Sequence, residues 1–120
     1  MIEIIPDMPD NVVAAKAHGK VTAEDYEKTF IPAIEENLKT HEKTRLLYQL
    51  GEDFSGYSLA AVLKDAKLGI KHFNGFEKVA VVTDVHWIAD ASSFFGAFIP
   101  CPVMVFTNKE LPTAKAWIRG

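Results

Sequence analysis

Apolar and polar residues follow two rhythms along this chain, and the places where the rhythm changes mark its elements. Residues 2–6 and 11–18 are short apolar runs joined by Pro-Asp-Met-Pro-Asp, which is the turn chemistry of a hairpin. Gly19 closes the second run. From Thr22 the period lengthens to that of a helix, with Tyr26, Phe30, Ala33, Ile34 and Leu38 forming one stripe at spacings of three and four. Thr22 can cap this helix, and Glu24 and Asp25 put negative charge at its positive end. Pro32 falls inside the stripe. Its ring removes one donor and clashes a turn back, so it should kink or divide the helix.

Residues 45–50 then read as a third strand and residues 51–58 as a loop. Leu59, Val62, Leu63, Ala66, Ile70 and Phe73 predict a second amphipathic helix, closed by Asn74-Gly75. Residues 78–83 (KVAVVT) form a fourth strand, apolar enough to be buried on both faces. A third helix is predicted over 85–99, a fifth strand over 103–107 and a terminal helix over 109–118, with Pro112 in its first turn. Strands joined through helices should lie parallel. The expectation is therefore one α/β domain spanning 1–120. It has a mixed five-stranded sheet, mostly parallel with an antiparallel first hairpin, and about four helices.

Between Ala91 and Asn108 the chain carries no charge. This run is not a membrane span, because Pro100 and Pro102 break it and Ser92, Ser93, Gly96 and Thr107 dilute it. Its helix is unusual. At about 100° per residue, Trp87, Phe94, Phe98, Ala91, Phe95, Ile88 and Ile99 fall on one wide apolar face. The other side carries Ser93, Gly96, Ala97 and the single charge Asp90, where an ordinary solvent face would carry Lys and Glu. Small residues allow close approach by a neighbour. Two readings follow: a core helix with a quiet exterior, or a mobile or partner-covered helix over an apolar cavity.

Asp84 and His86 stand just before this run, at the carboxyl end of a buried strand, where open α/β sheets bind ligands. An Asp-His pair can serve catalysis, but no nucleophile elbow accompanies it. The plainer reading makes Asp84 the cap of the next helix and His86 part of its exposed first turn. No catalytic residue is assigned, although a small enzyme built on this pair stays open. Two ligands do not make a zinc site, and His18, His41 and His72 are scattered, so neither metal nor cofactor is expected.

Lys64, Lys67 and Lys71 form a basic stripe on the second helix. They are solvated in the plain reading, or rest on anionic lipid heads in the sharper one. The net charge is −3, with −5 in residues 1–56 and +2 in the remainder, which argues against a general nucleic-acid binder. The lone Cys101 excludes an internal disulfide and reads as a buried, inert thiol. MIEIIPDMPD has no basic n-region, so no secretory signal is expected. The expected compartment is the cytoplasm, with peripheral contact at the inner membrane face.

Four segments carry a family resemblance: VTAEDYEKTFIPAIEE, RLLYQLGEDFSGYSLAAVLKD, FEKVAVVTDVHW and AKAWI. Together they resemble the small bacterial SpoIIAA-like proteins, also described as STAS or CRAL-TRIO-like. The resemblance implies a fold shared by phospho-switched anti-sigma-factor antagonists and by CRAL-TRIO carriers that hold apolar ligands under a mobile helix. The switch pattern needs an Asp-Ser pair at the start of the helix after the third strand. Here Phe54 separates Asp53 from Ser55, and Ser58 stands as a possible N-cap.

The expected function is thus a non-enzymatic binding domain. It holds an apolar small molecule or lipid against Trp87, Phe94, Phe95 and Phe98, with Tyr57 or His86 as a polar handle. Alternatively it meets a membrane surface or a second copy of itself through Lys64, Lys67, Lys71, Ser93, Gly96 and Ala97. The alternative function is a signalling switch that binds a partner protein and is phosphorylated at Ser55 or Ser58.

Overall fold

The structure is a computed structural model. It describes every residue of the chain except Phe73, and it gives backbone alone for residues 69, 70 and 95. Five strands form one sheet in the order β1-β2-β3-β4-β5: Ile2–Ile4, Val12–Val21, Thr44–Tyr57, Phe76–Val82 and Val103–Phe106. β1 pairs antiparallel with β2, and every later pairing is parallel. The expected mixed sheet is therefore the observed one.

The first helix, α1, is divided where Pro32 stands. It runs Ala23–Asp25, widens into a π segment over Tyr26–Phe30 and continues as Ile31–Thr40. The Ile31 N–H reaches back five residues to the Tyr26 carbonyl, so the helix absorbs the proline as a widened turn. Thr22 and Asp25 cap its start reciprocally. Helix α2 is Leu59–Lys71, α3 is His86–Gly96 and α4 is Leu111–Arg119.

Two residue sets build the interior. On the front of the sheet, Tyr26, Phe30 and Ile34 of α1, Ala61 and Leu68 of α2 and Ile88 of α3 pack on Val13, Ala15, Leu46, Tyr48 and Val79. On the back, Ala114 and Ile118 of α4 pack on Leu47, Ala80, Val82 and Phe106. The three crossover helices thus share the front layer, and the terminal helix covers the back.

One expectation fails at β3. Residues 51–58 are expected as a loop, yet β3 continues to Tyr57. It stays paired because β2 also runs on, with register shifts around Gly19 that bring Gly19 opposite Phe54 and Val21 opposite Tyr57. Gly19 (φ 55°) and Gly56 (φ 143°) adopt backbone angles that a side chain would disfavour.

Candidate functional site

Helix α2 is turned differently from its apolar stripe. Ser58 caps it, its Oγ accepting from the Ala61 N–H at 3.1 Å. The line facing the sheet is then Ala61, Asp65, Leu68 and His72, at spacings of four, three and four. Leu59, Val62 and Leu63 are 79%, 47% and 59% exposed, and Ala66 is exposed beside them. Ile70, which belongs to the same expected stripe, has its side chain outside the described residues, as does Phe73 altogether.

Asp65 explains this orientation. Its carboxylate accepts from Tyr26 Oη at 2.8 Å, Tyr26 Oη lies 3.1 Å from Tyr48 Oη, and Tyr57 Oη donates to Tyr48 Oη at 3.1 Å. Tyr26 and Tyr48 are buried. Burial pushes Tyr26 and Tyr48 far above the ordinary tyrosine range and Tyr57 up to about 12. Asp65 keeps exposed surface as a residue. Its carboxyl nevertheless lies in a crowded, water-poor setting, which raises its pKa against the opposing Tyr26 hydrogen bond. This ladder gives each buried hydroxyl a partner. Tyr57, expected as a ligand's polar handle, belongs to it.

The basic stripe is also engaged with the protein itself. Lys64 meets Glu27 at 2.9 Å and Lys71 meets Glu35 at 2.9 Å, both across to α1. Lys67 is exposed and has no such partner among the described residues. Two of the three cations expected on lipid heads therefore tie α2 to α1.

Helix α3 splits its wide apolar face. Ile88 is buried, and Ser92 and Gly96 follow it at four-residue steps toward the sheet. Trp87, Phe94 and Phe98 are 63%, 63% and 66% exposed, with the Phe94 and Phe98 rings 5.5 Å apart edge-to-face. These three were expected to line a space between helix and sheet, and they lie on the outer side instead. The side chain of Phe95 lies outside the described residues. Gly96, expected at a partner contact, has its partner within the chain: a Cβ there would stand 2.8 Å from Val103 Cβ of β5. Ser93 and Ala97 are exposed. The inward line was hidden because a glycine resting on a strand leaves no apolar signal.

Asp84 and His86 do not act as a pair. Asp84 accepts from the Asn108 backbone N–H at 2.9 Å and from Asn108 Nδ2 at 3.1 Å, joining the loops after β4 and β5. It does not cap α3. The Val85 N–H is held instead by Thr83 Oγ1 at 3.0 Å. His86 is exposed in the first turn, as the plain reading expected, with no hydrogen bond to Asp84. Cys101 is half-buried against the front core, and burial pushes its thiol up. Ser55 is exposed on β3. Among the described residues no cluster of three His, Cys, Asp or Glu side chains is placed to hold a metal ion. No helix among them is long and apolar enough to cross a membrane.

Comparison with known proteins agrees with this architecture. The family model described as SpoIIAA-like matches residues 12–119. A solved structure of an uncharacterised protein from Shewanella loihica PV-4, assigned to the DUF3478 family with a SpoIIAA-like fold, superposes with a TM-score of 0.74. The two chains are 31% identical, over 98% of this chain and 92% of that one. No curated protein matches the chain.

Proposed function

This chain belongs to the SpoIIAA-like family, and from that premise we propose a non-enzymatic binding domain that contacts lipid through the outer sides of α2 and α3. One observation carries the reading. Two helices in adjacent crossovers expose Leu59, Val62, Leu63, Trp87, Phe94 and Phe98. Water-soluble domains do not usually present so many large apolar side chains on neighbouring elements without something to cover them. Tryptophan suits the headgroup boundary, where its ring is wetted at one end and apolar at the other. The contact is a surface one, because these side chains face outward and the inner line of each helix is already packed. Its electrostatic part is small, since Lys64 and Lys71 are paired to α1. Attachment should therefore depend little on salt, unlike a polybasic anchor.

Co-sedimentation with neutral phosphatidylcholine vesicles tests this. The wild-type protein pellets with vesicles at low and at high salt, and Leu63→Ser/Phe98→Ser does not. A protein that stays in the supernatant and runs as a dimer would assign the same surface to a subunit contact.

A second reading rests on Ser58 alone. Its hydroxyl stands at the α2 N-cap, where a phosphate's charge is favoured by the helix dipole and its oxygens could take over the capping bond. An intact mass one phosphoryl group heavier in protein from its native host, mapped to Ser58 or Ser55, would support the switch. Unmodified protein throughout growth would remove that reading.

A further inference from the structure

The back of the sheet holds a cleft that neither reading uses. Val12, Ala14 and Leu47 face α4, so the two-residue period of a strand puts Lys16 and Gln49 on that same side, one step beyond the helix's cover. The two residues are register partners on β2 and β3. With Glu52, Asp53 and Asn108 they line a space of about 310 Å³ at the carboxyl ends of the strands, a size within the range of small-molecule sites.

The cleft has built walls. Gln49 is only 6% exposed, and its Nε2 donates to Asn108 Oδ1 at 2.8 Å. Asn108 is locked in turn, its Nδ2 donating to the Leu50 carbonyl at 2.9 Å and to Asp84 at 3.1 Å. That chain of donors fixes which way Gln49 points. Its Oε1 is left with no donor among the described residues, on a side chain that lines the cleft. That oxygen is open to the cleft rather than sealed in, so it can accept from a ligand's donor.

Lys16 is placed with similar care. A Cβ on Gly51 would stand 2.7 Å from Lys16 Cε and 3.0 Å from Asp53 Oδ1, so the glycine makes the room in which the lysine lies. Lys16 has no ion pair or hydrogen bond among the described residues. Asp53 is held by His18 Nδ1 at 2.9 Å, and His18 Nε2 meets Glu3 at 2.9 Å. Glu52 is exposed and carries no such bond.

A bare anion would find Lys16 but also the negative charge of Glu52 and Asp53. A bare cation would meet the lysine. We propose that this cleft binds a small zwitterion of the amino-acid type, its carboxylate on Lys16 Nζ and its ammonium toward Gln49 Oε1 and Glu52. The site is separate from the apolar surface of α2 and α3, and either can fail without the other.

The test is an amide-resolved NMR titration with a pool of freely soluble L-amino acids at millimolar concentration, followed by its members singly. Sodium acetate and ammonium chloride serve as half-ligand controls. Saturable shifts confined to residues 16–18, 49–53 and 107–108 are expected for at least one amino acid and for neither control. Lys16→Met and Gly51→Ala should each weaken binding about tenfold or more, one by removing the charge and the other by displacing it. No saturable shift with the pool would overturn the proposal. So would acetate binding as well as the amino acid, or both variants, shown folded by their amide spectra, binding as the wild type does.

Discussion

Helices α1 and α2 both show one apolar stripe in the sequence, yet they use it in opposite ways. The stripe of α1 disappears into the front core, where Tyr26, Phe30 and Ile34 are fully buried. The stripe of α2 stays outside, with Leu59, Val62 and Leu63 exposed, while the line that meets the sheet contains a carboxylate. Helix α3 resembles α2 in this respect, burying Ile88, setting Gly96 against Val103 and presenting Trp87, Phe94 and Phe98. Periodicity reports that a helix has an apolar side. It does not report what covers that side, and in this molecule the difference separates the folding core from the candidate contact surface.

Truncation should separate the two kinds of helix face most widely. Phe30→Ala should lower unfolding free energy by about 3–5 kcal/mol in a denaturant titration, the usual cost of deleting a buried aromatic ring. Phe98→Ala should change it by no more than about 0.5 kcal/mol, because an exposed ring loses little. Similar losses at the two positions would mean that α3 is packed as α1 is.

The Tyr26–Asp65 bond turns α2 toward the sheet. Tyr26→Phe removes the donor from a desolvated carboxylate and should cost about 1–3 kcal/mol. It should also quicken amide exchange along α2 more than along α1. If only α1 responds, some other contact orients α2.

Gly96→Ala sharpens the contrast on α3. Helix propensity alone would make the change favourable by about 1 kcal/mol. A methyl group 2.8 Å from Val103 Cβ should reverse that sign and destabilise by about 1–3 kcal/mol, as overpacking does. A stabilised variant would show that α3 does not rest on β5 as described.

The smallest effect is a pH dependence at the sheet edge. Hydrogen bonds donated to Asp53 and then to Glu3 raise His18 above its ordinary 6.5, and the same His18 bond lowers Asp53. A raised folded pKa means that the histidine's contribution is complete below its unfolded value of about 6.5 and fades as pH climbs through the higher folded value. The lowered Asp53 sets the acid limit, its contribution fading as pH falls through the folded value. The melting-temperature difference between wild type and His18→Gln should therefore be largest in mildly acidic solution and shrink on the alkaline side. A difference that grows with pH would reverse the assignment.

Element order, the parallel sheet and the divided first helix were legible because each rests on local chemistry: the Thr22 cap, the position of Pro32 and the apolar run 78–83. The rest depends on partners distant in sequence. Asp65 reads as one acid among lysines until Tyr26 is placed opposite it, 39 residues away. Asp84 looks like a helix cap until Asn108 arrives, 24 residues later. Residues 51–58 read as a loop, whereas in the fold Gly51 and Gly56 both lie in β3 and Gly51 gives Lys16 its room. The exposed aromatics of α3 were singled out by their type, but their direction was not, because a glycine on the inner side leaves no mark in the pattern.

Contact between α3 and lipid can be read from the protein's own tryptophans. Trp87 lies on the outer side of α3, and Trp117 packs at the back of the sheet. In a Trp117→Phe protein the emission reports Trp87 alone. Added phosphatidylcholine vesicles should shift that emission to the blue and shield it from an aqueous quencher, at high salt as at low. Unchanged emission and unchanged quenching at saturating lipid would mean that α3 does not meet the bilayer.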